Sequence, residues 1–355
     1  MKRRFVVFLV AVLVVVLARP TTRHARAAGL LLSFSETASH PPVLEERALM
    51  DGIPIRTYRP VGRTGTPSDA PGIVLVHGVH HLGIEEPRLV RFARSLADAG
   101  MVVLTPEIAE LSDYQVAPGS IETAGRAVGL LRKRLGASKV GLMGMSFGGG
   151  VALLTAADPR FRDVISVVVA VGAHSDLKTV STFFAEDPKA HEYGPTVLVY
   201  GHADAFFPAE DVPIAREALR LWLHEARDDA RRAARELSPT SREKVERLFA
   251  ADVKSLRADL TAAIARLGPS MAAVSPHGRL EGVRADVYLL HGEADNVIPA
   301  SQTLALAEDV PAERRRGVLV TPALQHVELK GPTTRDQWEL VHFMGNVLGA
   351  VEDGR

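Results

Sequence analysis

Gly144-Met145-Ser146-Phe147-Gly148 stands between a short apolar run and a stretch of small residues, and no other part of the chain restricts the fold as much. Lys139 to Met143 reads as a buried strand, and Gly149 to Leu154 as the start of a compact helix. A serine in a very tight strand-to-helix turn is lifted out at the edge of a sheet. Glycines two residues to either side remove side chains that would collide there. The bare pattern arises by chance in a chain with 29 glycines, so its weight rests on the flanking elements and on the partners found elsewhere.

A serine hydroxyl is a weak nucleophile at neutral pH and needs a base, which in turn needs an orienting acid. His326 lies in Leu324-Gln325-His326-Val327-Glu328, shortly after an apolar stretch ending at Val320. Asp295 lies in His291-Gly292-Glu293-Ala294-Asp295, directly after a run ending at Leu290. Nucleophile, acid and base thus come in the order Ser146, Asp295, His326, each past the carboxyl end of a strand, as this type of serine turn requires. Asp204 competes for the acid position. Gly201-His202-Ala203-Asp204 with Pro208 repeats the spacing of Gly292 to Asp295 with Pro299, and it too follows an apolar run, Val197 to Tyr200.

Around these residues the chain alternates strands and helices. Arg47 to Tyr58, broken at Asp51-Gly52, reads as a hairpin. Gly72–Val76, Met101–Leu104 and Val164–Val171 read as strands, with helices at Glu86–Ala99 and Ile121–Leu135. Ala285–Leu290 and Gly317–Val320 restore the strand pattern near the end. Uninterrupted apolar strands separated by helices predict an α/β fold whose mainly parallel sheet is covered on both faces. Between them, a charged helical insertion is drawn at 205–282. Val245, Phe249, Val253, Leu256, Leu260, Ile264 and Leu267 form one apolar stripe in it. Its position before the last strands suits a cap over the crevice at the strands' carboxyl ends.

An oxyanion site needs backbone donors aimed where charge develops. Phe147 N–H, at the helix start, is one candidate; the second is Val79 N–H in the loop His77-Gly78-Val79-His80-His81-Leu82-Gly83. His80, His81 and Leu82 are candidates for the substrate pocket, as is Glu107 after its own strand. His77 and His80 have metal-ligand chemistry, but no nearby cluster completes a ligand set, so neither a metal nor a cofactor is expected.

Together Val76-His77-Gly78, the Ser146 turn, His291 to Asp295 with Pro299, and His326 resemble the α/β-hydrolase superfamily, in particular its dienelactone-hydrolase-like and carboxylesterase-like branches. The resemblance spans roughly residues 47–204 and 283–350. It implies an eight-stranded sheet with an antiparallel second strand, and Ser146, Asp295 and His326 as nucleophile, acid and base. Dienelactone hydrolases proper use a cysteine nucleophile, and this chain has no cysteine. The expected function is hydrolysis of a small-molecule or lipid-like ester or related acyl bond through an acyl-enzyme. Peptidase, thioesterase and acyltransferase activity, or a non-catalytic binding role, are the alternatives.

Lys2-Arg3-Arg4 precedes fourteen apolar residues, Phe5 to Ala18. Residues 1–27 therefore read as an export signal ending at Ala25-Arg26-Ala27 or, uncleaved, as a short anchor giving membrane association through residues 5–18. Either reading puts the protein outside the cytoplasm: secreted, periplasmic or tethered to the outer face of the inner membrane. Residues 28–46 read as a linker, and 47–355 as the folded domain. Basic and acidic residues both number 42, so nothing points to a nucleic-acid partner.

Overall fold

The computed structural model describes residues 22–34, 43–61, 70–326, 328–329 and 334–354. A helix over 22–34 (α1) leads into the hairpin β1 (Val43–Met50) and β2 (Ile53–Pro60). The hairpin turns through Asp51 and Gly52, at φ 49° and 78°, the left-handed pair that a two-residue turn needs. There follow β3 (Gly72–Val76), α2 (Pro87–Asp98), β4 (Val102–Pro106), the single turn α3 (Ala109–Ser112), α4 (Pro118–Leu135), β5 (Val140–Met145), α5 (Phe147–Ala157) and β6 (Ile165–Val171). Six helices come next: α6 (Leu177–Glu186), α7 (Tyr193–Gly201), α8 (Val212–Leu223), α9 (Arg227–Ala234), α10 (Pro239–Phe249) and α11 (Val253–Ala272). The chain closes with β7 (Asp286–Gly292), α12 (Ser301–Asp309), β8 (Arg315–Thr321), the short hairpin β9 (Leu324–Gln325) and β10 (Glu328–Leu329), and α13 (Thr334–Asp353).

The strands form one eight-stranded sheet in the order β1-β2-β4-β3-β5-β6-β7-β8. β2 is antiparallel to both its neighbours, and the pairs from β4 onward are parallel. This is the α/β-hydrolase fold that the sequence predicts. Alternation along single strands shows why the runs are apolar throughout. Val74 and Val76 face one core, with Leu131 and Val151; Ile73 and Leu75 face the other, with Leu96 and Val347. With both faces covered, most strand positions are apolar, and the buried polar exceptions, such as Thr57, Thr105 and His291, are few.

Three readings require correction. The helical insertion starts earlier than 205: Val197–Tyr200 is part of α7, and the chain is helical in six segments between β6 and β7. The apolar stripe of the insertion is two helices rather than one, broken where Ala251 takes φ 54° and Asp252 caps α11 through Ser255 N–H. Finally, the boundary at 27 falls inside α1. Ala27 and Leu30 of α1 are buried in the core, Arg26 donates to the Ala99 carbonyl at 2.8 Å, and Arg23 and Arg26 pair with Glu352. Residues 28–34 thus belong to the body rather than to a linker, and 43–46 to β1. The apolar run 5–18 and Pro41-Pro42 lie outside the described residues. No described helix is long and apolar enough to cross a membrane.

α6 to α11 have a core of their own, in which Val197, Leu219, Val245, Leu256 and Ile264 pack together with Tyr114 from the main domain. They cap the carboxyl edge of the sheet. His191 N–H binds the Asn296 carbonyl beyond β7 at 2.7 Å, and His277 N–H binds the Ser175 carbonyl beyond β6 at 3.0 Å.

Candidate active site

Because β3, β5, β6, β7 and β8 are parallel, the segments that follow them all emerge at one edge. Ser146 stands between β5 and α5 at φ 54°, ψ −131°, a conformation that costs an L-residue about 1–3 kcal/mol. The strain is held from both sides. Ser146 N–H binds the Val171 carbonyl at 2.7 Å, and the Ser146 carbonyl accepts from Gly149 N–H at 2.8 Å. A Cβ on Gly144 would overlap the Gly148 carbonyl, and one on Gly148 would overlap the His77 carbonyl. The two glycines are therefore space requirements of the turn. Gly78 has the same role: a Cβ there would lie 3.2 Å from that of Ser146.

Asp295 follows β7, and its side chain is fully buried. Oδ1 accepts from Val297 N–H and Ile298 N–H at 2.8 and 2.9 Å. Oδ2 lies 2.8 Å from His326 Nδ1 and 3.3 Å from His291 Nε2. Burial alone would raise this carboxyl's pKa, but the hydrogen bonds from His291 and His326 outweigh it and hold the pKa well below the usual carboxylate range. The carboxylate can only accept, so His326 must donate from Nδ1, leaving Nε2 as the basic nitrogen. His326 itself sits at φ 52° in the tight turn between β9 and β10. It lines the same cavity as Ser146, together with Val79, His80, Phe34 and Met145.

Asp204 does not share this environment. It lies in a single helical turn after α7 rather than beyond a strand, and among the described residues His326 Nδ1 donates to Asp295. The repeated spacing around Asp204 is a coincidence of sequence.

Phe147 is the first residue of α5, so its N–H has no carbonyl one turn back and points out of the helix end. Val79 belongs to the facing loop. The Gly78–Val79 peptide is oriented by His77, whose Nδ1 donates to the Gly78 carbonyl at 2.7 Å while Nε2 accepts from Ile108 N–H at 3.1 Å. Both nitrogens of His77 are thus occupied, and burial keeps the ring neutral. Gly78 does not adopt positive φ; its contribution is close approach to Ser146 rather than an unusual turn.

The other loop residues divide. His80 lines the cavity, and burial, reinforced by His81 beside it, lowers its pKa to about 4, so it is a neutral wall at pH 7. His81 instead stacks on His224 of the cap, with ring centres 4.2 Å apart, and its Nδ1 is 3.0 Å from Tyr114 OH. Leu82 is 41% exposed and turned to solvent. Glu107 accepts from Ile84 N–H at 3.0 Å and from Ser112, tying two loops together outside the cavity lining. His291 has no role in the sequence reading, although it stands in the same motif as Asp295. Phe34, Glu86 and Arg88, which also line the cavity, carry no sequence pattern that would single them out.

Solved structures share this architecture at low identity. An acylaminoacyl peptidase from Pyrococcus horikoshii superposes with a TM-score of 0.50 at 12% identity, over 89% of this chain and 41% of the peptidase. A 2,6-dihydroxy-pseudo-oxynicotine hydrolase gives 0.48 at 20% identity, over 87% of this chain and 68% of the hydrolase. A membrane phospholipase A, described as a novel bacterial virulence factor, gives 0.46 at 18% identity, over 98% and 99% of the two chains. No curated protein matches the sequence. The sequence pattern of the alpha/beta hydrolase family does match, over residues 73–331, from β3 to just beyond His326. That span is well over half of the chain and includes the serine turn, the buried aspartate and the histidine that it holds; the chain belongs to the alpha/beta hydrolase family.

Proposed function

We propose that this member of the family is a serine hydrolase that cleaves carboxylic esters of apolar acids through an acyl-enzyme. The observation that carries the reading is the strained Ser146 opening onto one cavity with a His326 whose Nδ1 is held by a buried, ionised Asp295. In the reaction Ser146 Oγ attacks the acyl carbon as its proton passes to His326 Nε2, and Asp295 stabilises the resulting imidazolium. The N–H groups of Phe147 and Val79 receive the oxyanion. The leaving alcohol takes the proton from His326, and water, deprotonated by the same histidine, releases the acid and frees Ser146.

The acyl preference is supported by a second cavity, between the cap and the main domain. Val79 and Phe147, the two oxyanion residues, form one of its walls; Val180, Phe184, Leu198 and Met271 supply much of the remaining lining, with the polar groups of Tyr114, Gln115, Ser181 and His202 among them. An apolar chain entering there loses contact with water without any polar group of its own to satisfy. Hydrolysis of p-nitrophenyl esters of increasing acyl length, beside a thioester and an acylated peptide, tests this. Turnover per KM is expected to rise from acetate to a medium chain and to exceed that for the other two classes. A preference for acetate would overturn the acyl reading, and preferred cleavage of peptide or thioester would reassign the bond. We further place the protein outside the cytoplasm, tethered rather than released. The basic and apolar start supports export, and cleavage after Ala27 would strip Arg23 and Arg26 from their pairing with Glu352.

A further inference from the structure

Tyr193 stands at the start of α7, in the cap, and is half-buried. Its hydroxyl donates to the Val79 carbonyl at 3.0 Å, across 114 residues of sequence. On the other side of the same peptide unit, His80 N–H binds the Leu111 carbonyl at 3.2 Å. The Val79–His80 peptide is thereby fixed at both ends. The preceding unit, which carries the Val79 N–H, is fixed by His77 through the Gly78 carbonyl. The Tyr193 ring is itself set edge-on against Tyr114, with ring centres 5.9 Å apart. Of the three anchors on these two peptides, only Tyr193 comes from the cap; Leu111 and His77 belong to the main domain.

We propose that Tyr193 is a positioning residue through which the cap sets the Val79 N–H of the oxyanion site, so that cap docking and completion of that site are one event. The proposal rests on the acyl-hydrolase reading above. A rotation about the Val79 backbone moves its N–H away from the developing charge while leaving Ser146, His326 and both cavities in place. Loss of the Tyr193 bond should therefore weaken transition-state binding and leave ground-state binding nearly unchanged.

The test compares Tyr193→Phe with Tyr200→Phe. The latter removes another tyrosine hydroxyl of the cap, one that bonds Asp113 and does not reach Val79. Turnover is normalised to active sites titrated with a fluorophosphonate. For Tyr193→Phe, kcat on a p-nitrophenyl ester should fall about three- to tenfold, the rate equivalent of one ordinary hydrogen bond, with KM within about twofold. Affinity for a trifluoromethyl ketone, which forms an oxyanion on Ser146, should fall by the same factor. Tyr200→Phe should change neither. Wild-type kcat and ketone affinity in Tyr193→Phe, or an equal loss in Tyr200→Phe, would overturn the positioning role while leaving the hydrolase reading intact. A wild-type protein inert toward every acyl substrate and toward the fluorophosphonate would overturn both.

Discussion

Asp295→Asn should lower turnover about 10⁴-fold, the cost of a misoriented imidazole in a comparable triad, while the protein stays folded. The cause lies in the donor count around this side chain. The aspartate accepts from two backbone N–H groups and lies within reach of two histidines. An asparagine must turn its NH₂ toward one of these pairs. The backbone amides can only donate, so they retain the oxygen and the NH₂ falls opposite His326 Nδ1. The imidazole must then protonate on Nε2 and can no longer take a proton from Ser146. Asp204→Asn, at a position in the turn after α7, should leave turnover within about twofold, the range of ordinary surface substitutions. Steady-state kinetics on both variants, with circular dichroism to verify folding, checks this; collapse in Asp204→Asn with near-normal Asp295→Asn would transfer the acid role.

Gly144→Ala should also be strongly damaging, through geometry rather than chemistry. The new methyl would overlap the Gly148 carbonyl, which is backbone and cannot rotate away. Relief requires α5 to shift against β5, carrying Ser146 with it. Overpacking of this kind destabilises by about 1–3 kcal/mol, and a displacement of about 1 Å at the nucleophile costs on the order of 10²-fold in rate. Gly129→Ala is the matched control. It lies within α4 with no atom near the added methyl, and alanine there should stabilise by about 0.5–1 kcal/mol. Thermal unfolding and ester turnover on the pair separate the two effects. A Gly144→Ala protein as active and as stable as the parent would show that the turn is not sterically required.

The legible parts of the fold are those where local sequence and tertiary environment demand the same thing. β3, β5, β6 and β7 are buried on both faces, so each is a mainly apolar run, and the residues following them land at one edge whatever the intervening loops do. That is why Ser146, Asp295 and His326 could be placed from their positions after strands. Val197–Tyr200 misled because a short apolar run, read alone, suits a buried helix as well as a strand. Pro195, in the first turn of α7, was the available helix signal. Leu82 and His81 read as pocket candidates from their place in the loop after β3. The direction each side chain takes is set by the helical turn at Gly83–Glu85 and by the cap, neither of which the loop sequence specifies. Tyr193 was invisible for the same reason, since its partner is a backbone carbonyl in a distant loop. At the N-terminus, Ala25-Arg26-Ala27 has the small-residue spacing of a cleavage site. In α1 those alanines flank an arginine that reaches Ala99 and Glu352.

Fluorophosphonate labelling with peptide mapping tests most directly whether Ser146 is a nucleophile activated by His326. The wild-type protein should carry one covalent adduct, on Ser146, with no adduct in Ser146→Ala and labelling slowed by orders of magnitude in His326→Ala. A folded wild-type protein that takes no label, or an adduct elsewhere that persists in Ser146→Ala, would contradict the account.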